Sequence, residues 1–174
     1  MRADSNADSV ERFLRALGAY GRAGDRVYLA GGATAVTVGW RSYTQDVDVR
    51  LESDAPDDLL RGISELKERL DVNVELAGPL DFLPEPAGWR DRSPYLGRYG
   101  AIDVFQTDFA LQALAKLERG LDRDLADVEA MLERGLTTPD AVKALFVEIQ
   151  PELFRFPAVD GDSLATRVAA ALER

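Results

Sequence analysis

The sequence predicts an α+β fold, a small mixed sheet flanked by helices and followed by a helical C-terminal part. Three observations predict it. Residues 45–51, Gln-Asp-Val-Asp-Val-Arg-Leu, alternate polar and apolar as a half-buried strand does. The apolar run Val27-Tyr28-Leu29-Ala30 ends on Gly31-Gly32 and passes into the small-residue stretch 33–39, the pattern of a buried strand turning tightly into a short helix. From Asp108 onward the apolar residues recur at helical spacing.

Each element follows from local pattern. Residues 7–22 read as an amphipathic helix with Val10, Phe13, Leu14 and Leu17 on one face, Asp8 or Ser9 as its cap, and Gly18 and Gly21 weakening its end. A strand over 27–30, a helix over 33–38 and a strand over 45–51 come next. Asp54-Ala55-Pro56-Asp57-Asp58 starts a helix, with proline in the first turn and acids favoured by the helix dipole, and Leu59, Leu60, Ile63, Leu66 and Leu70 carry it to about residue 70. Residues 72–76 alternate as a strand. Residues 77–94 hold four of the chain's eight prolines and read as a loop with one helical turn at 80–83. Two short strands, 95–99 and 101–106, meet near Gly100. Helices are expected over 108–119, 121–134, 139–149 and 162–173. Thr138 caps the third of these with Pro139 at its first position, and Asp162 or Ser163 caps the last. The expected division is an α/β core over 1–107 and a helical region over 108–174 packed on it as one globular unit.

Composition narrows the chemistry. At 174 residues the chain is long enough for a substantial core, and 46% of it is apolar. No apolar run is long enough to span a bilayer, and the acidic start, Met1 to Asp8, is unlike a signal peptide, so a cytoplasmic protein with no membrane partner is expected. Cysteine and histidine are both absent. That excludes disulfides, thiol nucleophiles, histidine acid–base chemistry and Cys- or His-ligated metals. The net charge of −10 argues against a broad grip on duplex nucleic acid, whose binders are usually basic, and leaves room for a local basic patch holding one RNA end.

Asp46 and Asp48 would share one strand face while Val47 and Val49 point into the core. Side by side, two carboxylates repel unless a cation lies between them. A hard divalent ion is the obvious partner, and magnesium takes one or two carboxylates plus substrate phosphates. The glycine turn would offer backbone N–H groups to those phosphates. A bare Asp-x-Asp is common in a chain with 31 acidic residues, and the spacing recurs at Asp122/Asp124 and Asp160/Asp162. Neither recurrence lies in an apolar strand, whereas Asp46 and Asp48 follow a strand, a glycine turn, a small-residue helix and the Arg41/Thr44 pair.

The series Gly31, Gly32, Asp46, Asp48 resembles the signature of the DNA polymerase beta-like nucleotidyltransferase superfamily. The longer form, through Ala33, Arg41 and Thr44, is similar to small bacterial nucleotidyltransferases of toxin–antitoxin and abortive-infection modules. The segment Asp108…Lys116…Arg119-Gly120…Arg123-Asp124…Asp127-Val128 is similar to a second motif of that subgroup, and the two together span roughly residues 27 to 128. The resemblance implies a Mg²⁺-dependent, or Mn²⁺-dependent, transfer of a nucleotide from an NTP to a hydroxyl on an RNA end or a protein, with a cognate antitoxin as a partner. It assigns Asp46 and Asp48 to the metal, with Asp103 as the candidate third carboxylate. An edge-strand or turn carboxylate is the other reading of Asp103. Gly31 and Gly32 would cradle the β- and γ-phosphates. Lys116 would reach the triphosphate, with Arg119 one turn further on the same side, although a solvated helix face accounts for both. Helix capping and ion pairs with Arg123 or Arg119 account equally for Asp124 and Asp127. Arg41 and Thr44 would orient nucleotide or metal ligands, unless Arg41 is a surface residue beside Trp40. Tyr43 and Trp89 could stack on a base or belong to the core. Alternatives on the same fold are a non-catalytic nucleotide-binding or regulatory module and an aminoglycoside-type nucleotidyltransferase.

Overall fold

The computed structural model describes residues 4–172. Residues 1–3 of the acidic start and residue 173 of the expected last helix lie outside the described residues. The chain forms two compact units, one of residues up to 78 together with 94–106, the other of residues 79–93 with 107 onward. The segment 79–93 thus groups with the C-terminal helices rather than with the sheet that flanks it in sequence.

The first unit is built on a five-stranded mixed sheet, in the order β3-β2-β1-β5-β4. Helix α1 (Ala7–Leu17) is capped by Asn6, whose side chain accepts from the Ser9 N–H at 2.9 Å. It ends earlier than the expected residue 22. A Cβ at Gly18 would lie 2.1 Å from the Tyr99 carbonyl oxygen, so the turn after α1 rests directly on distant backbone. Replacing Asn6 by Ala is expected to cost about 1 kcal/mol of stability, the usual worth of such a cap, measured by urea unfolding.

Strand β1 (Arg26–Ala30) runs straight into α2 (Gly31–Val38), which begins two residues before its expected start. Strand β2 (Val47–Glu52) pairs antiparallel with β1, and β5 (Ile102–Gln106) pairs with β1 in parallel on the other side. Helix α3 (Asp57–Arg69) keeps its acidic first turn and leads to β3 (Val74–Glu75), shorter than the five residues its alternation predicts. Strand β4 (Tyr95–Tyr99) and β5 form a hairpin turning at Gly100 with φ +59°. The core lies on one face of the sheet: Val10, Phe13 and Leu17 of α1, Ala33 and Val36 of α2 and Leu66 of α3 meet Val27, Leu29, Val47, Val49 and Val104. Full burial of each large apolar side chain is worth roughly 1.5–3 kcal/mol.

In the second unit a 3-10 turn (Pro79–Asp81) and α4 (Trp89–Arg92) break up the expected loop. Helices α5 (Phe109–Arg119), α6 (Asp122–Glu133), α7 (Pro139–Ile149) and α8 (Gly161–Leu172) follow close to their expected positions. Helix α7 starts as its sequence predicts, with Thr138 Oγ1 accepting from the Ala141 N–H at 3.1 Å and Pro139 in the first turn. Asp160, and not Asp162 or Ser163, caps α8 by accepting from the N–H groups of Asp162 and Ser163. Among the described residues no helix is long and apolar enough to cross a membrane.

Candidate functional site

The glycine turn and the two aspartates converge. Asp48 on β2 lies opposite Ala30, the last residue of β1, so its side chain meets the backbone where β1 becomes α2. A Cβ at Gly31 would lie 2.3 Å from Asp48 Oδ2, and Gly31 has φ +57°. Only glycine both takes this conformation easily and leaves room for the carboxylate. At Gly32 a Cβ would lie 1.9 Å from Thr44 Oγ1. Thr44 is itself held by a backbone bridge to Ser5, with N–O distances of 2.7 and 2.8 Å, and by donating to the Asp46 carbonyl at 3.0 Å. Thr44 therefore braces the turn. It closes over Gly32 and fixes the backbone that carries Asp46.

Asp46 stands just before β2, and its Oδ1 accepts a hydrogen bond from Asn73 Nδ2. The Val47 N–H donates to the Asn73 carbonyl at 2.8 Å, so Asn73 holds both this strand and its carboxylate. Val47 and Val49 are buried while Asp46 and Asp48 are not, as the alternation of β2 predicts. Asn73 was not legible as a site residue, because it precedes a strand of only two residues. Helix α2 is fixed in turn by a buried polar cluster. Thr34 Oγ1 donates to Gln106 Oε1 at 2.7 Å, and Gln106 Nε2 donates to Thr37 Oγ1 at 2.8 Å. A glutamine at the end of an apolar strand is the signal that could have revealed it.

Asp103 does not join this pair. It lies opposite Arg26, four residues along β1 from the Ala30 that faces Asp48, which is about 13 Å of strand. Its carboxylate accepts from Arg98 Nε and Nη2 at 2.9 and 3.0 Å and from the Tyr95 hydroxyl at 3.2 Å. The Arg98 hydrogen bonds hold it below the ordinary carboxylate pKa. The structure therefore does not bring Asp103 to Asp46 and Asp48 as a third metal carboxylate, and the edge-strand reading fails too, since β5 lies between β1 and β4. A group with a lowered native pKa stabilises the fold above its unfolded value of about 4, and that contribution is lost as pH falls through the native value. Asp103→Asn is expected to flatten this acid limb in urea titrations between pH 5 and pH 2.5 and to leave any transfer activity unchanged. The carboxylate that does lie opposite Asp48 is the exposed Glu75 of β3. Among the described residues no group of three or more acidic side chains gathers closely enough to hold a metal.

Lys116 and Arg119 lie on α5 in the helical unit. Lys116 is only 3% exposed, and its Nζ sits 2.5 Å from Asp127 Oδ2 and 3.4 Å from Asp124 Oδ1. Arg119 Nη2 meets the same Asp124 oxygen at 2.6 Å. The solvated-face reading of Lys116 fails, and its ammonium is taken up by buried carboxylates of α6. The ion-pair reading of Asp124 holds. Trp89 is 1% exposed and donates to Glu85 at 2.8 Å, a core residue of the helical unit rather than a base platform. Tyr43 is 61% exposed, and Arg41 is half-buried just ahead of Thr44.

The Asp48 carboxylate meets the start of α2, and the Asp46 carboxylate stands just upstream, held by Asn73. The carboxylates could hold Mg²⁺ or Mn²⁺, ions that accept such oxygen ligands and leave further positions for water and phosphate. The space over Gly31 that a side chain would fill is taken by the Asp48 carboxylate, which sits at the N-terminus of α2. No family model, curated protein or solved structure matches this chain.

Proposed function

We propose that the protein is a metal-dependent nucleotidyltransferase that moves a nucleotide from an NTP to a hydroxyl of an RNA end or a protein, as the toxin of a two-component module with a cognate inhibitor. The observation that carries this reading is the seating of the Asp48 carboxylate over Gly31, at the start of α2, with Asp46 two residues upstream.

In such a transfer the acceptor oxygen bonds to the α-phosphorus as the bond to pyrophosphate breaks, and negative charge gathers on the phosphoryl oxygens. The positive end of the α2 dipole, at the glycine turn, would draw the β- and γ-phosphates. Asp46 and Asp48 would hold the divalent ion, and Asn73 fixes the Asp46 side chain by donating to its Oδ1. Bound there, the ion supplies charge that stabilises the attacking and leaving oxygens. Thr44 keeps the glycine turn and Asp46 in register, and Arg41 adds a cation for the nucleotide. A substrate drawn from the NTP pool places the reaction in the cytoplasm.

A second reading is a non-catalytic nucleotide-binding module. It is favoured by the Arg98 pair of Asp103, which leaves two carboxylates at the turn instead of three. Incubation with each radiolabelled triphosphate in turn, Mg²⁺, RNA and a protein extract separates the two. Label should enter RNA or protein with one triphosphate preferred, and EDTA should abolish it. Binding without incorporation under every condition would leave the second reading, and neither binding nor incorporation would overturn both.

A further inference from the structure

Arg50 is the next residue of β2 on the face that carries Asp48. It lies opposite Tyr28 of β1, two residues past Asp48, which is about 7 Å further from the glycine turn. Its Nε is buried and has no hydrogen-bond partner among the described residues. A guanidinium cannot shed its proton to escape this, so the buried N–H stays a donor that only an acceptor can satisfy. The two carboxylates on its own strand face are committed elsewhere. Asp48 lies over Gly31, and Glu52 accepts from the Tyr28 hydroxyl at 3.3 Å. In a chain of net charge −10, a cation left with an unanswered buried donor beside a carboxylate pair is placed for an incoming anion.

We propose that Arg50 binds a phosphate oxyanion of the substrate, on the side of Asp46 and Asp48 away from the glycine turn. This rests on the nucleotidyl-transfer reading and deepens it. The β- and γ-phosphates lie at the turn, so the phosphate at Arg50 is either the α-phosphate of the NTP or a phosphate neighbouring the acceptor hydroxyl, as on an RNA end. The planar guanidinium pairs with a phosphate through two parallel hydrogen bonds. It opposes a cationic acceptor such as an aminoglycoside.

Calorimetric titration of the whole protein with inorganic pyrophosphate, Mg²⁺–NTP and a short single-stranded oligoribonucleotide tests this, at two salt concentrations and on wild type, Arg50→Gln and Arg50→Lys. Arg50→Gln should weaken binding of the NTP or the oligoribonucleotide about tenfold or more, with a shallower salt dependence and partial recovery in Arg50→Lys. Loss confined to the NTP assigns the donor phosphate, and loss confined to the oligoribonucleotide assigns the acceptor phosphate. Unchanged binding of both by Arg50→Gln overturns the proposal. So does a Lys variant no better than Gln when both melt equally early, since that marks a structural arginine. Should Arg50→Gln not fold, a folded Arg50→Lys that binds both probes like wild type, at both salt concentrations, overturns it too. Wild-type protein that binds pyrophosphate through Arg50 but neither nucleotide probe keeps the anion site and sinks nucleotidyl transfer. A wild type that binds none of the three sinks both.

Discussion

On the proposed reading, Asp48→Asn is expected to lower nucleotidyl transfer by at least about a hundredfold, the scale on which removal of one group that stabilises transition-state charge acts, while the protein keeps its melting temperature within a few degrees. The substitution keeps the shape of the side chain and removes only its charge. Asp48 is half-buried at the end of the β1–β2 pairing, and the strand contacts around it are made by its backbone and by Val47 and Val49. The amide fits the cradle over Gly31 as the carboxylate does but is a far poorer ligand for a hard dication. Stability and activity should therefore separate. The check is label transfer at saturating NTP across a Mg²⁺ titration, beside a thermal melt. A variant that transfers at the wild-type rate with the same Mg²⁺ dependence would remove Asp48, and with it the convergence at the turn, from the chemistry.

The local parts of this site were legible because local physics makes them. Alternation in residues 45–51 fixes which side chains of β2 are buried, and the Gly31-Gly32 pair marks a backbone that turns where a side chain would collide. The same holds for Thr138-Pro139, where cap and first-turn proline are read from adjacent residues. What failed depends on register and on distant contacts. Asp103 sits in an apolar strand as expected, but only the parallel pairing of β5 with β1 reveals that it lies opposite Arg26, well away from Ala30. At the early end of α1 the Gly18 carbonyl accepts from the Ala101 N–H at 3.1 Å, a partner some eighty residues on in the chain. Asn73 and Glu75 belong to a strand too short to announce a period. Gln106 becomes meaningful only once Thr34 and Thr37 of α2 are seen to answer its amide.

Lys116→Met should be the most destabilising single change outside the apolar core, costing about 3–5 kcal/mol, the usual penalty for removing one partner of a buried ion pair. Lys116, Asp124 and Asp127 are each no more than 3% exposed. The ammonium answers both carboxylates, directly at Asp127 and more loosely at Asp124, whose Oδ2 already lacks a hydrogen-bond partner among the described residues. Without the lysine, Asp127 loses the ammonium 2.5 Å away, and Asp124 is left with Arg119, which is half exposed and reaches a single oxygen. The methylene stem of methionine fills nearly the same space, so the loss is electrostatic rather than a cavity. Its origin can be isolated with Lys116→Met/Asp127→Leu, which removes both charges and should recover much of the stability, since apolar replacement of a whole buried pair is often neutral or better. Urea unfolding of the two single variants and the double variant gives the coupling energy. A single variant as stable as wild type would show that the buried pair contributes nothing to the fold and would return Lys116 to the ligand role that its sequence motif resembles.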